Sequence, residues 1–486
     1  MSHFKLALIV ASAIMTARFI LTPVAAFSAE TPRPPNIVLF FVDNLGTGDL
    51  GCYGSQLHRT PHIDRLAKEG TKFTSFYVAS GVCTPSRAAL LTGCYPLRVD
   101  MHVSGSGASV LRPLDTKGLN PNETTIAEVL RPAGYATAIF GKWHLGDQPP
   151  FLPTQQGFDL FFGIPYSDDM TKEVRPESWP ELPLMRNAQV IEAPVDRDYL
   201  VKRCTEETIQ FIEENQDRPF FAYVPHTMPG STKHPFSSPA FRGKSKNGDY
   251  GDSVEELDWS VGQIMATLKR LNLDERTLVI WTSDNGAPRR KPRQGSNRPY
   301  RGDGYNTSEG AMRMPCLMRW PGKIAAGRTA DALCTTMDLL PTLAKLADVP
   351  PPEQAIDGHD IAPILFGQTD LASPWDDQGF AYYYLDQLQA IRAGDWKLYL
   401  PIDPKQAKRL PPAASRSGEP ALYDVRNDLS EERELSAKHP EIVERLTAMA
   451  QAIRQEIGDT NRPGKGGRPA GKVDRPRPLL MKTEPQ

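Results

Sequence analysis

The residues able to do chemistry in this chain fall into a few short clusters. Cys83-Thr84-Pro85-Ser86-Arg87 runs into Ala88-Ala89-Leu90-Leu91-Thr92-Gly93, so a proline in the first turn and a glycine past the end frame a short helix with Cys83 at its N-terminus. A side chain there faces unpaired backbone N–H groups and the positive end of the helix dipole, which suits an oxyanion. Asp43-Asn44 and Asp284-Asn285 offer only hard oxygen donors. Such donors suit Ca²⁺, or Mg²⁺ less well, and argue against Zn²⁺. Lys142 and His144, in Gly141-Lys142-Trp143-His144, and His226 and His234, in the loop Pro225 to Phe236, add a cation and groups able to move protons.

Those clusters need elements that bring them together. Asn36 to Val42, Tyr135 to Phe140, Phe220 to Val224 and Thr277 to Ser283 are short apolar runs of the kind expected for strands buried on both faces. Helical patterns separate them at Ile63 to Glu69, at Thr125 to Arg131 with capping-box spacing between Thr125 and Glu128, and at Ser253 to Leu271. The alternation predicts an α/β fold with a large mixed, mainly parallel sheet sandwiched by helices. Ligands of such sheets bind outside the carboxyl ends of the strands. The residues just past the four runs are Asp43-Asn44, Gly141 to His144, His226 and Asp284-Asn285, so one convergent crevice is expected. From about Leu371, short runs at Phe380 to Leu385, Leu388 to Arg392, Trp396 to Leu400 and Leu422 to Val425 predict an antiparallel sheet. With a helix from Pro440 to Ile457, they make a smaller C-terminal α+β subdomain.

The expected organisation is a signal peptide over 1–28, a catalytic domain over 29–370, the α+β subdomain over 371–460 and a basic, Pro/Gly-rich tail over 461–486, either solvated or laid across the surface as an arm. Lys5, the apolar run Leu6 to Ala17 and the small residues of Val24 to Ala29 read as an export signal. Arg18 interrupts the run, which argues against a membrane anchor. A periplasmic or secreted protein without stable membrane insertion is therefore expected. Lys plus Arg total 56 against 58 for Asp plus Glu, a net charge of -2, which gives no overall electrostatic reason for a nucleic-acid partner. Anion recognition must be local. Six cysteines are too few for a disulfide scaffold, and 45 prolines fit long, ordered connections.

The pentapeptide at Cys83, followed by Thr92-Gly93, resembles the C-x-P-x-R hallmark of the sulfatase family. The resemblance extends through Pro35 to Asp43, Gly46 to Gly51, Pro61 to Ala67, Gly141 to Gly146, Gly157 to Asp159, Gly163 to Ser167, Asp284 to Gly286, Glu309-Gly310, Arg319 to Gly322, Asp338 to Thr342, Trp396 to Leu398 and Leu422 to Asp424. It is closest to the arylsulfatase-type, carbohydrate-active branch and implies an alkaline-phosphatase-like fold. By that resemblance, a formylglycine-generating enzyme oxidises Cys83 to Cα-formylglycine, whose hydrate attacks sulfur. Asp43, Asn44, residue 83, Asp284 and Asn285 hold one Ca²⁺, Arg87 stabilises the nucleophile, Lys142 binds a sulfate oxygen near Ser167, and His144 takes a proton. The substrate is then a sulfated carbohydrate or aryl sulfate.

Three positions depart from the family pattern. Asn44 stands where a second aspartate is usual, Gly304 where a lysine is usual and Gly230 where the second histidine of H-x-M-P-H is usual. The general acid is then His226 or His234, and Arg298, Arg301 and Arg313 are the candidates to replace the lysine. Two other readings follow from the same residues. One is a phospho- or phosphonate-ester hydrolase of the superfamily, disfavoured because two-zinc relatives use Asp-His where Asp284-Asn285 stands. The other is a catalytically weakened protein that binds sulfated glycans, disfavoured because binding alone needs no maturation motif.

Overall fold

The computed structural model describes residues 33–481 apart from 292–293, 369–371 and 416–417; the expected signal peptide over 1–28 lies outside the described residues. In chain order the main elements are strands β1 (Asn36–Val42), β2 (Thr71–Tyr77), β3 (Ala136–Lys142), β4 (Leu160–Ile164), β5 (Phe220–Val224), β6 (Thr277–Ser283) and β7 (Arg313–Arg319). The main helices are α1 (Pro61–Glu69), α2 (Cys83–Thr92), α3 (Ile126–Leu130), α4 (Leu200–Glu214), α5 (Gly248–Arg270), α6 (Leu339–Leu346) and α7 (Pro440–Glu456).

Strand β1 forms because both of its faces find an apolar partner. Ile37, Leu39 and Phe41 pack in a core with Leu90 of α2, Ile126 of α3 and Leu340 of α6. Val38, Phe40 and Val42 point the other way, into a core with Leu66 of α1, Ile212 of α4 and Leu257 of α5. Each such side chain contributes roughly 1.5–3 kcal/mol on burial. Across the sheet the order is Arg328–Ala330, β2, β7, β6, β1, β5, β3, β4, Leu184–Arg186 and Gln189–Glu192, with Cys334–Thr335 also paired to β2. β1 runs parallel to β5 and β6, and β3 parallel to β4 and β5. β7 is antiparallel to β2 and β6, so the sheet is mixed and mainly parallel, as expected. Pro315 sits at a register shift between Met314 and Cys316, where its missing N–H costs least.

The C-terminal strands Phe380–Tyr384, Gln387–Ala393, Trp396–Tyr399 and Ala421–Asp424 form a four-stranded antiparallel sheet. Its inner face shares a core with Tyr77 of β2, Ala89 of α2 and Leu446 of α7. Glu309 joins the two layers: fully buried, it accepts hydrogen bonds from Lys397 Nζ at 2.9 Å and from the Tyr382 hydroxyl at 2.9 Å. From Arg462 to Met481 the chain is an arm across the surface. Arg468 Nη2 pairs with Glu123 at 2.8 Å, Gly471–Lys472 pair with Lys117–Gly118, and the Arg477 N–H donates to Gln148 at 2.8 Å.

Candidate active site

The site lies at the carboxyl ends of the parallel strands, where β1 and β6 stop within hydrogen-bond reach of each other. The Asp284 N–H donates to the Val42 carbonyl at 3.0 Å, and the Asn44 N–H donates to Asp284 Oδ1 at 3.0 Å. Asn44 adopts the left-handed region with φ of 64°, a conformation asparagine tolerates better than most residues. The turn aims Asp43 and Asp284 at a common point.

Into that point come two buried cations. Lys142, the last residue of β3, places Nζ 2.9 and 3.0 Å from the two oxygens of Asp43 and 3.1 Å from Ser167 Oγ. Arg87, one turn into α2, donates to Asp284 Oδ2 at 2.7 Å, to Asp43 Oδ1 at 3.3 Å and to the Lys142 carbonyl at 3.0 Å. All four charged side chains are fully buried. Burial works against the Asp43 carboxylate, but Lys142 and Arg87 outweigh it and hold that carboxyl well below its usual range. Burial and the Asp43 charge push the Asp284 carboxyl up, with Arg87 opposing. Two acids and two bases cancel, so the protein groups alone give this centre no net charge with which to draw an anion.

Cys83 opens α2 and lies within this cluster. Its sulfur and carboxylate oxygens of Asp43 and Asp284 all fall within 4.8 Å of one another. Burial pushes the Cys83 thiol far up, so as a cysteine it is a poor nucleophile. The Asn285 side-chain oxygen is buried without a hydrogen-bond partner, while its Nδ2 donates to Asn44 Oδ1 at 2.5 Å. Hard oxygens converging from two strand ends, one of them unpartnered, fit a divalent cation of the Ca²⁺ type. Such an ion would also relieve the repulsion between Asp43 and Asp284.

His144 follows two residues after Lys142, with φ of 63°. Its Nε2 lies 3.0 Å from the Leu111 carbonyl; a carbonyl only accepts, so Nε2 carries the proton. Burial, with Lys142 and Arg87 nearby, holds this imidazole well below its usual range. The ring is neutral and its other nitrogen, Nδ1, is buried without a partner, which leaves a lone pair free to accept a proton.

Above Cys83 opens a cavity of about 380 Å³, lined among others by His144, Ser167, Asp169, Ser231, Arg289, Arg290, Tyr305 and Arg409. A larger cleft of about 790 Å³ is lined by Tyr53, Gln56, Asn247 and Arg298 and includes none of the residues around Cys83. The smaller cavity is the one joined to the reactive groups.

Neither histidine read as the general acid reaches it. His226 lies behind the sheet: its Nε2 meets Ser260 Oγ of α5 at 2.9 Å and its ring stacks on Phe40 at 6.4 Å. His234 is exposed, with Nδ1 2.9 Å from Asp249. The two glycine departures have a backbone cause. A Cβ on Gly304 would lie 2.4 Å from the Gly286 carbonyl oxygen, and one on Gly230, where φ is +65°, would lie 2.7 Å from Asp168 and 2.8 Å from the Thr227 carbonyl. No side chain fits either position unless the backbone moves. Of the arginines considered as replacements, Arg298 lines the larger cleft, Arg301 donates to the Glu431 carbonyl at 2.8 Å and Arg313 donates to the Thr74 carbonyl at 2.7 Å. Arg290 instead lines the cavity and holds the carbonyls of Gly230 and Thr232. Tyr305 also lines it; its hydroxyl is 3.0 Å from Ser231 Oγ, which accepts from Asn44 Nδ2 at 3.0 Å. The sequence signal for these groups was faint: a basic run from Arg289 to Lys291 just past Asp284, and a tyrosine beside Gly304.

Comparison with known proteins agrees with this geometry. The sulfatase family model matches residues 35–349, and a model for the C-terminal part of N-sulphoglucosamine sulphohydrolase matches residues 304–456. Mouse steryl-sulfatase is 33% identical over 98% of this chain and 89% of its own, and human arylsulfatase A is 39% identical over 87% and 88%. Among solved structures, a Bacteroides thetaiotaomicron protein from a locus for glycosaminoglycan metabolism superposes with a TM-score of 0.73 at 30% identity, covering 87% of this chain and 99% of its own. A phosphonate monoester hydrolase of Agrobacterium radiobacter shares the fold, with a TM-score of 0.57 at 19% identity over 86% of this chain and 96% of its own. A match that spans β1 to α6 and carries the reactive cluster whole places this chain in the sulfatase family, whose members hydrolyse sulfate esters.

Proposed function

We propose that this protein is an exported sulfatase that hydrolyses a sulfate monoester of a carbohydrate or aryl alcohol, with Cys83 matured to formylglycine and one Ca²⁺ held by Asp43, Asn44, residue 83, Asp284 and Asn285. The observation that carries the reading is Cys83, buried at the N-terminus of α2 among converging oxygens beneath an open cavity. Converted to formylglycine, position 83 supplies an oxygen nucleophile, and Ca²⁺ supplies positive charge for the non-bridging oxygens of the sulfate.

The remaining chemistry belongs to the chain. Lys142 and Ser167 bind a sulfate oxygen, Arg87 orients residue 83 and offsets charge developing on it, and His144 Nδ1 accepts the proton that must leave before sulfate departs. Both histidines read as the acid lie away from the cavity, so the proton for the leaving oxygen comes from the Tyr305 hydroxyl, relayed through Ser231. Because the protein charges at the centre cancel, a divalent ion makes the site cationic. Asn44 in place of a second aspartate lowers affinity for the ion and leaves more of its charge for the substrate. Export fits the sulfated polymers found outside cells, and among the described residues no helix is long and apolar enough to cross a membrane.

The test is peptide mass spectrometry across residue 83 on protein from its native host, with sulfate release measured on 4-nitrophenyl sulfate in calcium. Formylglycine with sulfate release is expected. An unmodified thiol in protein that still releases sulfate would overturn the mechanism, and glycan binding without release from any ester would favour the binding-protein reading.

A further inference from the structure

The rim of the cavity over Cys83 carries more positive charge than a single sulfate needs. Arg289, Arg290 and Arg409 line it against one carboxylate, Asp169. Several other surface arginines are neutralised: Arg65 pairs with Glu69, Arg186 with Glu207, Arg242 with Asp198 and Arg270 with Glu213. Arg290 is committed to the carbonyls of Gly230 and Thr232, and its guanidinium lies 5.3 Å from the Tyr250 ring centre. Arg289 and Arg409 are exposed and have no carboxylate partner among the described residues. Arg409, in the left-handed region with φ of 42°, rests its guanidinium 5.8 Å from the ring centre of Tyr305. Two long cations thus face the cavity mouth with their hydrogen-bond donors unspent.

We propose that the substrate carries a second anionic group, a carboxylate or another sulfate, which Arg289 and Arg409 bind at the cavity mouth while the scissile sulfate sits over residue 83. The inference rests on the sulfatase reading and narrows its substrate to polyanionic esters, such as multiply sulfated or uronate-containing sugars. Guanidinium groups suit this task because they present paired donors to planar or tetrahedral oxyanions. With no carboxylate partner among the described residues, they give up no existing ion pair when the ligand arrives.

The experiment measures affinity by calorimetry in calcium on the Cys83→Ala protein, which carries no nucleophile at that position. The ligands are a singly sulfated neutral hexose, the same hexose with two sulfates, and a disaccharide joining the singly sulfated hexose to a uronic acid. At least one dianionic ligand is expected to bind ten times more tightly than the neutral monosulfate or better, and the tighter of the two identifies the second anion. Adding Arg289→Gln and Arg409→Gln should erase that preference and leave affinity for the monosulfate within twofold. The same double substitution in the active enzyme should raise KM for the dianionic ester with kcat held. Equal affinity for all three ligands, or an equal loss for the monosulfate in the double variant, overturns the proposal alone. Failure of the active enzyme to release sulfate from any of these esters or from 4-nitrophenyl sulfate overturns the sulfatase reading beneath it.

Discussion

Replacing Lys142 by Met removes one ammonium from the centre and keeps most of the side-chain volume. Lys142 Nζ sits 2.9 and 3.0 Å from the two oxygens of Asp43, and both side chains are fully buried. At an effective dielectric near 20, a unit pair at this distance attracts by about 6 kcal/mol. Arg87 remains 3.3 Å from Asp43 and offsets part of the loss. Breaking a buried pair from one side costs about 3–5 kcal/mol, and the residual arginine puts Lys142→Met near the lower end, about 3 kcal/mol. The assay is equilibrium urea unfolding followed by tryptophan fluorescence, in EDTA and in saturating calcium. In calcium the penalty should shrink, because the ion takes over as counter-charge to Asp43. The double variant Lys142→Met/Asp43→Asn should be less destabilised than the sum of its parts by about 2 kcal/mol. A loss below about 1 kcal/mol in EDTA, or simple additivity in the double variant, would show that this pair does not hold the centre together.

Three further outcomes follow from named contacts. Burial lowers the His226 imidazole to about 3, below the ordinary value near 6.5, so as pH falls below 6.5 the unfolded chain takes up a proton that the folded one refuses. Stability should drop by about 1.4 kcal/mol per pH unit on this account. His226→Asn should make the loss between pH 7 and 5 smaller by about 2 kcal/mol in urea unfolding; an unchanged slope would place the acid sensitivity elsewhere. Gly304→Ala drives a Cβ toward the Gly286 carbonyl and should cost about 1–3 kcal/mol as overpacking. Gly304→Lys should therefore destabilise without raising turnover, and a faster enzyme would show that the backbone yields easily. Tyr305→Phe should slow release from an alkyl or sugar sulfate by about a hundredfold and affect 4-nitrophenyl sulfate much less, because a good leaving group needs no acid; equal losses on both would remove Tyr305 from proton transfer.

Much of this protein is local, and what is local was legible in the sequence. β1, β5 and β6 occupy the stretches their apolar runs predict, because a strand buried on both faces must be continuously apolar. The capping box at Thr125 and Glu128 starts α3, and Gly93 ends α2 at φ of 67°, since both signals act within one turn. The Asp43 and Asp284 clusters were visible for a related reason, because residues just past neighbouring parallel strands lie close together, whereas Cys83 was visible from its place at a helix N-terminus and its family motif. β2 and β7 escaped notice because β2 mixes threonine and serine with its aromatics, while β7 has arginine at both ends and a proline inside.

Only the tertiary structure decided which of the polar residues meet. His226 stands two residues past β5, and whether it faces the cavity or the α5 side depends on how the chain turns after the sheet ends, a choice no short pattern encodes. The glycines at 230 and 304 read as departures in the sequence, and the fold supplies their cause in carbonyls and a carboxylate packed where a Cβ would go. The geometry proposed to hold a cation joins residues some 240 positions apart, and the lack of a carboxylate partner for Arg289 and Arg409 among the described residues depends on which carboxylates the fold leaves out of reach. Charge and residue type are properties of the chain, whereas distance and partnership are properties of its packing. A candidate nucleophile and cation site could be named from the first, but the proposed proton donor and anion-binding rim required the second.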